Sequence, residues 1–269
     1  MATLPYVECG NKRGPPMVFM AGFPDNETSG WGTEVPAKLG KLNRLILMCL
    51  PGFERDSKTE RKWGYDFEEI INMFHNTMEV VGLSSRPFVL VGHDWGALIS
   101  LLYCTKHPEM VSKLVLCDVG MVKIQNLPLK ALFVIVSYQL FFALAYVLSM
   151  YVPGPLGEWF MQLFPYLTMI HPTSEPSHVP LDEQRVSKCY PYYHLWRDNL
   201  QGKMKTPRFP TCPLLFMYGT KKHVMFHDEQ FLERIRQTQH CSAHALPSGH
   251  WFMVDRAQEV VGLVEAFIQ

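Results

Sequence analysis

The feature that most constrains this chain is an alternation. Short, almost wholly apolar runs recur at residues 17–21 (MVFMA), 44–50 (RLILMCL), 87–91 (PFVLV), 114–117 (LVLC) and 214–218 (LLFMY), with a weaker run at 243–246. Between them lie segments of helical period. Phe67, Ile70, Ile71, Phe74, Met78 and Val81 fall on one helix face, and residues 95–106 and 260–268 read as further helices. A strand with one solvated face alternates polar and apolar residues. A strand apolar on both faces needs cover on both, which is the pattern of a parallel sheet in an α/β protein. One stretch, 121–206, breaks the alternation and is rich in Leu, Phe, Tyr and Pro. It reads as a helical lid inserted into an α/β core formed by 1–120 and 207–269.

The strand at 87–91 runs into Gly92-His93-Asp94-Trp95-Gly96 and then into a helix. A strand-to-helix turn this sharp needs small residues on either side and projects its tip side chain over the carboxyl edge of the sheet. The next backbone N–H, that of Trp95, points where an oxyanion would form. The motif by itself is unspecific, and outside this context Asp94 would be a solvated turn residue. Near the C-terminus, Ser248-Gly249-His250-Trp251 follows the last strand, where His250 is placed to act as a base. A lone histidine there is more often a surface residue. Gly22-Phe23-Pro24 follows the first strand, and the Phe23 N–H is a second candidate oxyanion donor, with an ordinary turn as the plainer reading.

Together these residues resemble the α/β-hydrolase superfamily over nearly the whole chain. Aspartate at the turn followed by tryptophan resembles the branch that holds epoxide hydrolases and haloalkane dehalogenases. The resemblance implies an α/β-hydrolase fold, a mostly parallel sheet with helices on both faces and an inserted lid. It also implies that Asp94 attacks an sp³ carbon to give an alkyl-enzyme ester, which water activated by His250 hydrolyses. Serine suits acyl carbon, whereas a carboxylate suits alkyl carbon because water can cleave its ester with the substrate. The stretch 137–142 (SYQLFF) resembles the lid segment of epoxide hydrolases whose tyrosine binds the epoxide oxygen. It makes Tyr138 the first candidate acid; a core tyrosine is the alternative. A second lid tyrosine is expected near 192–199 (YYHLWRDN). The direct match puts Trp196 at that place, and Tyr193, one turn earlier, is the substitute.

The chain departs from the pattern at Ala21, where the family usually has His, and at Cys49, where it often has Asp. The usual position of the acid that orients the histidine falls on Lys222, which has no acceptor. Asp118, at the end of the strand after the helix at 95–106, is the candidate in its place, and Asp228 a remote alternative. Phe23 stands where dehalogenases often carry a halide-binding Asn, which favours epoxide opening over dehalogenation. A non-catalytic binder of an apolar ligand is the third reading.

Equal numbers of acidic and basic residues exclude the basic balance of a nucleic-acid binder. Seven scattered cysteines show no metal spacing and suggest a reducing, cytoplasmic setting; the N-terminus lacks the apolar core of a signal peptide. The proposed chemistry needs no metal or organic cofactor, and a lid this apolar suits a small lipophilic substrate. No Asp, Glu, Lys or Arg occurs between Lys130 and Glu158. That run is long enough to cross a bilayer, but crossing would part the two halves of the sheet. It reads as a lid helix over the pocket, with membrane-surface contact as a further role. Oligomeric state is left open.

Overall fold

The computed structural model describes residues 1–55, 57, 61–152, 154–173, 179–180 and 183–269. Its strands are β1 (Tyr6–Gly10), β2 (Pro16–Met20), β3 (Arg44–Met48), β4 (Phe88–His93), β5 (Val111–Cys117), β6 (Leu214–Gly219) and β7 (Cys241–Leu246). They form one sheet in the order β1-β3-β2-β4-β5-β6-β7. Every pairing is parallel except that of β1 with β3. All five residues of β2 are buried, as a central strand covered on both faces requires. β1 (YVECG) lies at an edge and is mostly exposed, so it needs no continuous apolar run and leaves little trace in the apolar pattern.

The helices are α1 (Glu34–Leu39), α2 (Phe67–Val80), α3 (Trp95–Lys106), α4 (Leu129–Tyr151), α5 (Leu156–Met161), α6 (Tyr190–Leu200), α7 (Glu229–Gln237), α8 (Phe252–Asp255) and α9 (Ala257–Ile268). They cover both faces of the sheet. Helix α2 begins at a capping box: the Asp66 carboxylate accepts the Glu69 N–H at 2.8 Å, and the Glu69 carboxylate accepts the Asp66 N–H at 3.1 Å. Its buried residues Ile70, Phe74 and Met78 repeat every four positions and join the central core. Helix α3 starts immediately after β4, and Ala97, Ile99, Leu101 and Tyr103 are buried.

Helices α4, α5 and α6 all lie between β5 and β6. The apolar run is a single helix of 23 residues, α4, which packs against α5 and α6. One side of α4, marked by Val134, Tyr138, Phe142 and Tyr146, is buried. These helices sit beside the carboxyl ends of β2, β4, β5, β6 and β7, which are consecutive in the sheet. The loops leaving those five ends therefore lie side by side, about 4.8 Å apart. They carry, in order, Phe23, Asp94, Asp118, Lys222 and His250.

Candidate active site

The turn from β4 into α3 places Asp94 at φ 54° and ψ −124°, in the left-handed region that a side chain adopts only under constraint. The constraint is close packing. A Cβ on Gly96 would lie 1.9 Å from the Met20 carbonyl oxygen, so only glycine lets α3 approach β2. A Cβ on Gly22 would lie 2.5 Å from Asp94 Oδ1 and 2.6 Å from the Trp95 nitrogen. Glycine there keeps open the space between the carboxylate and that amide.

The two carboxylate oxygens of Asp94 have different surroundings. Oδ1 accepts the Phe23 N–H at 2.7 Å. Oδ2 lies 3.4 Å from His250 Nε2. The other ring nitrogen of His250, Nδ1, donates to Asp118 Oδ2. Asp118 is fully buried and is itself held at positive φ, 70°. Its Oδ1 accepts the Gly219 N–H at 3.0 Å and Lys222 Nζ at 2.5 Å. A row of alternating charge runs from Lys222 through Asp118 and His250 to Asp94. The Lys222 side chain has no exposed surface and its ammonium lies 4.9 Å from the centre of the Phe226 ring. Lys222 thus cannot orient the imidazole, but it holds the carboxylate that does.

Electrostatics follow from this row. Burial alone would raise the Asp118 pKa, but Lys222 and His250 hold it well below the usual carboxylate range. Burial alone would lower the His250 pKa, yet Asp118 and then Asp94 push it up to about 9. Burial lowers His93 to about 4, with His250 adding to the effect. His93 is therefore neutral, and its Nε2–H donates to the His250 carbonyl at 3.1 Å. The Trp251 indole N–H donates to Asp25 Oδ2 at 2.9 Å, which ties the histidine loop to the loop after β2.

Two cavities, about 540 and 400 Å³, meet at this row; Asp94, Tyr138, Tyr192 and Phe226 line both. Burial raises the pKa of both tyrosines, and the Asp94 charge adds to it. Each phenol stays protonated at neutral pH. Tyr192 stands edge-on to Trp95 at 4.9 Å and to Tyr138 at 6.1 Å between ring centres. Tyr193 lies elsewhere. Its ring packs on Trp63 and Tyr146, at 5.5 and 5.8 Å, outside either cavity. Neighbours on a helix point about 100° apart, so Tyr192 shares the cavity face with Leu195, Trp196 and Asn199, at i+3, i+4 and i+7. That spacing is the sequence signal for Tyr192. Asp228 is also excluded as the orienting acid. It caps α7 through the Phe231 N–H at 2.8 Å and binds the Lys123 N–H and the Asn126 amide, both at 2.9 Å. Among the described residues no group of His, Cys, Asp or Glu is arranged to hold a metal ion.

The sequence profile of the alpha/beta hydrolase family matches residues 17–263. The chain belongs to the alpha/beta hydrolase family. Within it, this hydrolase is 25% identical to epoxide hydrolase 3 of Xenopus tropicalis, across 98% of the chain and 74% of that relative. It is 30% identical to epoxide hydrolase B of Mycobacterium tuberculosis over 37% of the chain and 27% of that protein. A monoacylglycerol lipase, abhd6-B of Xenopus laevis, is 30% identical over 42% of the chain and 32% of its own length. Among solved structures, a bacterial membrane phospholipase A aligns over 98% of this chain and 81% of its own, with TM-score 0.64 and 19% identity. DBJA aligns over 97% and 94%, with TM-score 0.68 and 18% identity. At those identities the structural likeness concerns the fold alone.

Proposed function

We propose that this hydrolase opens a lipophilic epoxide to a diol through an alkyl ester on Asp94. One observation carries the reading: the Asp94 carboxylate has one oxygen held by a backbone N–H and the other presented to His250, in a cavity with two buried phenols. The relatives named epoxide hydrolases support it.

Oδ2 attacks an epoxide carbon, forming a C–O bond as the ring C–O bond breaks. The ring oxygen takes a proton from Tyr138 or Tyr192, which becomes a phenolate. Esterification removes the negative charge from Asp94, and the His250 pKa drops from about 9. The imidazolium then releases its proton to solvent, so the imidazole becomes a base only once there is an ester to hydrolyse, and it takes that proton back when the Asp94 charge is restored. Water then attacks Cγ while Nε2 takes its proton. The charge that develops on Oδ1 lies at the Phe23 N–H, with the Trp95 N–H as second donor. Collapse expels the alkyl oxygen, originally Oδ2, which takes the proton from His250. The restored carboxyl returns its remaining proton to the phenolate. Net, one epoxide and one water give one diol.

Asp118 holds the imidazole in the tautomer that leaves Nε2 free. Lys222 offsets the charge of Asp118, so that Asp118 does not keep His250 protonated through the hydrolysis step. Helices α4 and α6, which bring Tyr138 and Tyr192 over Asp94, serve as the lid.

The test is turnover of a panel of lipophilic epoxides, with diol as product. Diol formation that is abolished in Asp94→Asn supports the reading. Halide release from haloalkanes without diol, or saturable ligand binding without turnover, overturns it.

A further inference from the structure

A helix on the surface of a water-soluble protein turns a polar stripe outward. Helix α4 does not. Leu129, Phe133, Leu140, Leu144 and Tyr151 are exposed, by 85, 56, 45, 49 and 72%. They recur at intervals of 4, 7, 4 and 7 residues, which is one stripe along the helix, about 34 Å long at 1.5 Å per residue. Nearby in sequence, Trp159, Tyr166 and Met169 are also exposed, by 60, 81 and 81%. Half-buried Ser137 interrupts this line between Phe133 and Leu140, but the exposed side chains along it are apolar, and an apolar surface of this kind marks an interaction site.

Charge indicates which kind of partner it fits. From residue 121 to residue 173 the only Asp, Glu, Lys or Arg residues are Lys123, Lys130 and Glu158. Glu158 is spent internally, both its oxygens accepting the Val186 N–H at 3.0 Å. Lys130 is exposed at the amino end of α4 and Lys123 precedes it. The stripe thus has apolar residues, aromatic residues suited to a headgroup layer, and cations at one end. It also adjoins the route to Asp94, because Ile124, Leu127, Leu132 and Val136 line the larger cavity.

We infer that the outer stripe of α4 docks this protein on an anionic lipid surface, lying in its plane, with the larger cavity opening towards the lipid. The helix does not cross the bilayer. Its opposite side, with Tyr138, Phe142 and Tyr146, is packed into the protein. A lipophilic substrate dissolved in the membrane then enters without crossing water.

The test is flotation of the whole chain with vesicles of phosphatidylcholine alone and of phosphatidylcholine with phosphatidylserine. It needs no turnover, so its outcome is independent of the proposed reaction. The expected result is stronger binding to the phosphatidylserine vesicles, weakened by salt. The triple variant Phe133→Glu, Leu140→Glu, Leu144→Glu, which replaces no residue that lines a cavity, should lower binding at least about tenfold. Lys130→Gln, a milder change, should lower it about fivefold on the anionic vesicles alone. Circular dichroism of both variants should match the parent. No binding to either vesicle, or binding that the triple variant leaves unchanged, overturns the inference. So does a dimer in solution that the triple variant converts to monomer, which would assign the stripe to a second copy of the chain.

Discussion

Asp118 is a fully buried carboxylate that satisfies an imidazole, an ammonium and a backbone N–H at once. Removing Lys222 as a cation leaves the Asp118 charge acting on His250 unopposed. Lys222→Met should therefore move the pH at which ester hydrolysis reaches half its maximum upward, and Lys222→Arg should restore most of the shift; a stopped-flow pH series reads both. A purely packing role for Lys222 would lower rates without moving that midpoint. The tyrosines give a second prediction. Tyr138→Phe and Tyr192→Phe should each lower kcat/KM about 10²-fold, while Tyr193→Phe should leave it within about twofold, measured on one epoxide. At this scale the sequence was legible where a residue sits next to the chain feature that gives it meaning. Asp94, Trp95 and Phe23 belong to turns at strand ends, and Asp118 and His250 lie just beyond strand ends. Lys222 was legible only as a missing acceptor, because its partner is 104 residues away. Tyr193 is the residue the sequence offered one turn before Trp196, but Tyr192 is the one that enters the cavity, because helix phase, not distance along the chain, decides.

At the scale of elements, the site depends on how closely α3 and the loop after β2 approach each other. Gly22→Ala would place a methyl group 2.5 Å from Asp94 Oδ1. It should cost about 10²-fold in kcat with the fold retained, as loss of an oxyanion donor does; activity and thermal melting measured together check it. By contrast, the capping box of α2 is remote from the chemistry. Asp66→Ala should cost about 1 kcal/mol of stability, seen in urea unfolding, with kcat unchanged. The buried strands were plain in the sequence because burial on both faces writes a continuous apolar run. Edge strand β1 was not, since mostly exposed residues write none. Helix α7 is amphipathic but short, with only Phe231, Leu232 and Ile235 buried, and its Asp228 cap resembled a candidate acid until its partners were known.

For the molecule as a whole, the site is also a source of stability that depends on pH. The His250 pKa is about 9 in the folded protein against an ordinary value of 6.5. The folded state binds this proton more tightly, so its contribution is complete below about 6.5 and is lost as pH rises through about 9. Asp118 acts in the opposite sense. Its contribution holds above the ordinary 3.8 and is lost as pH falls through its depressed pKa. The melting temperature should fall between pH 7 and pH 9, and His250→Gln should flatten that fall; melting curves across this range decide it. The parallel sheet was legible at this scale from alternation alone. The meeting of the loop residues along one edge was legible only through the family resemblance, because it follows from the order of strands in the sheet rather than from any local pattern.

The central claim is that Asp94 carries the alkyl ester, and a single turnover in ¹⁸O-water tests it most directly. With enzyme in excess over a lipophilic epoxide, water attacks the Asp94 carbonyl carbon and the product leaves with an oxygen from the protein. The account predicts one ¹⁸O atom in the peptide that contains Asp94, an unlabelled diol, and an ester trapped on the same peptide in His250→Gln. Label found in the diol and absent from that peptide would contradict it, because water would then have opened the epoxide directly.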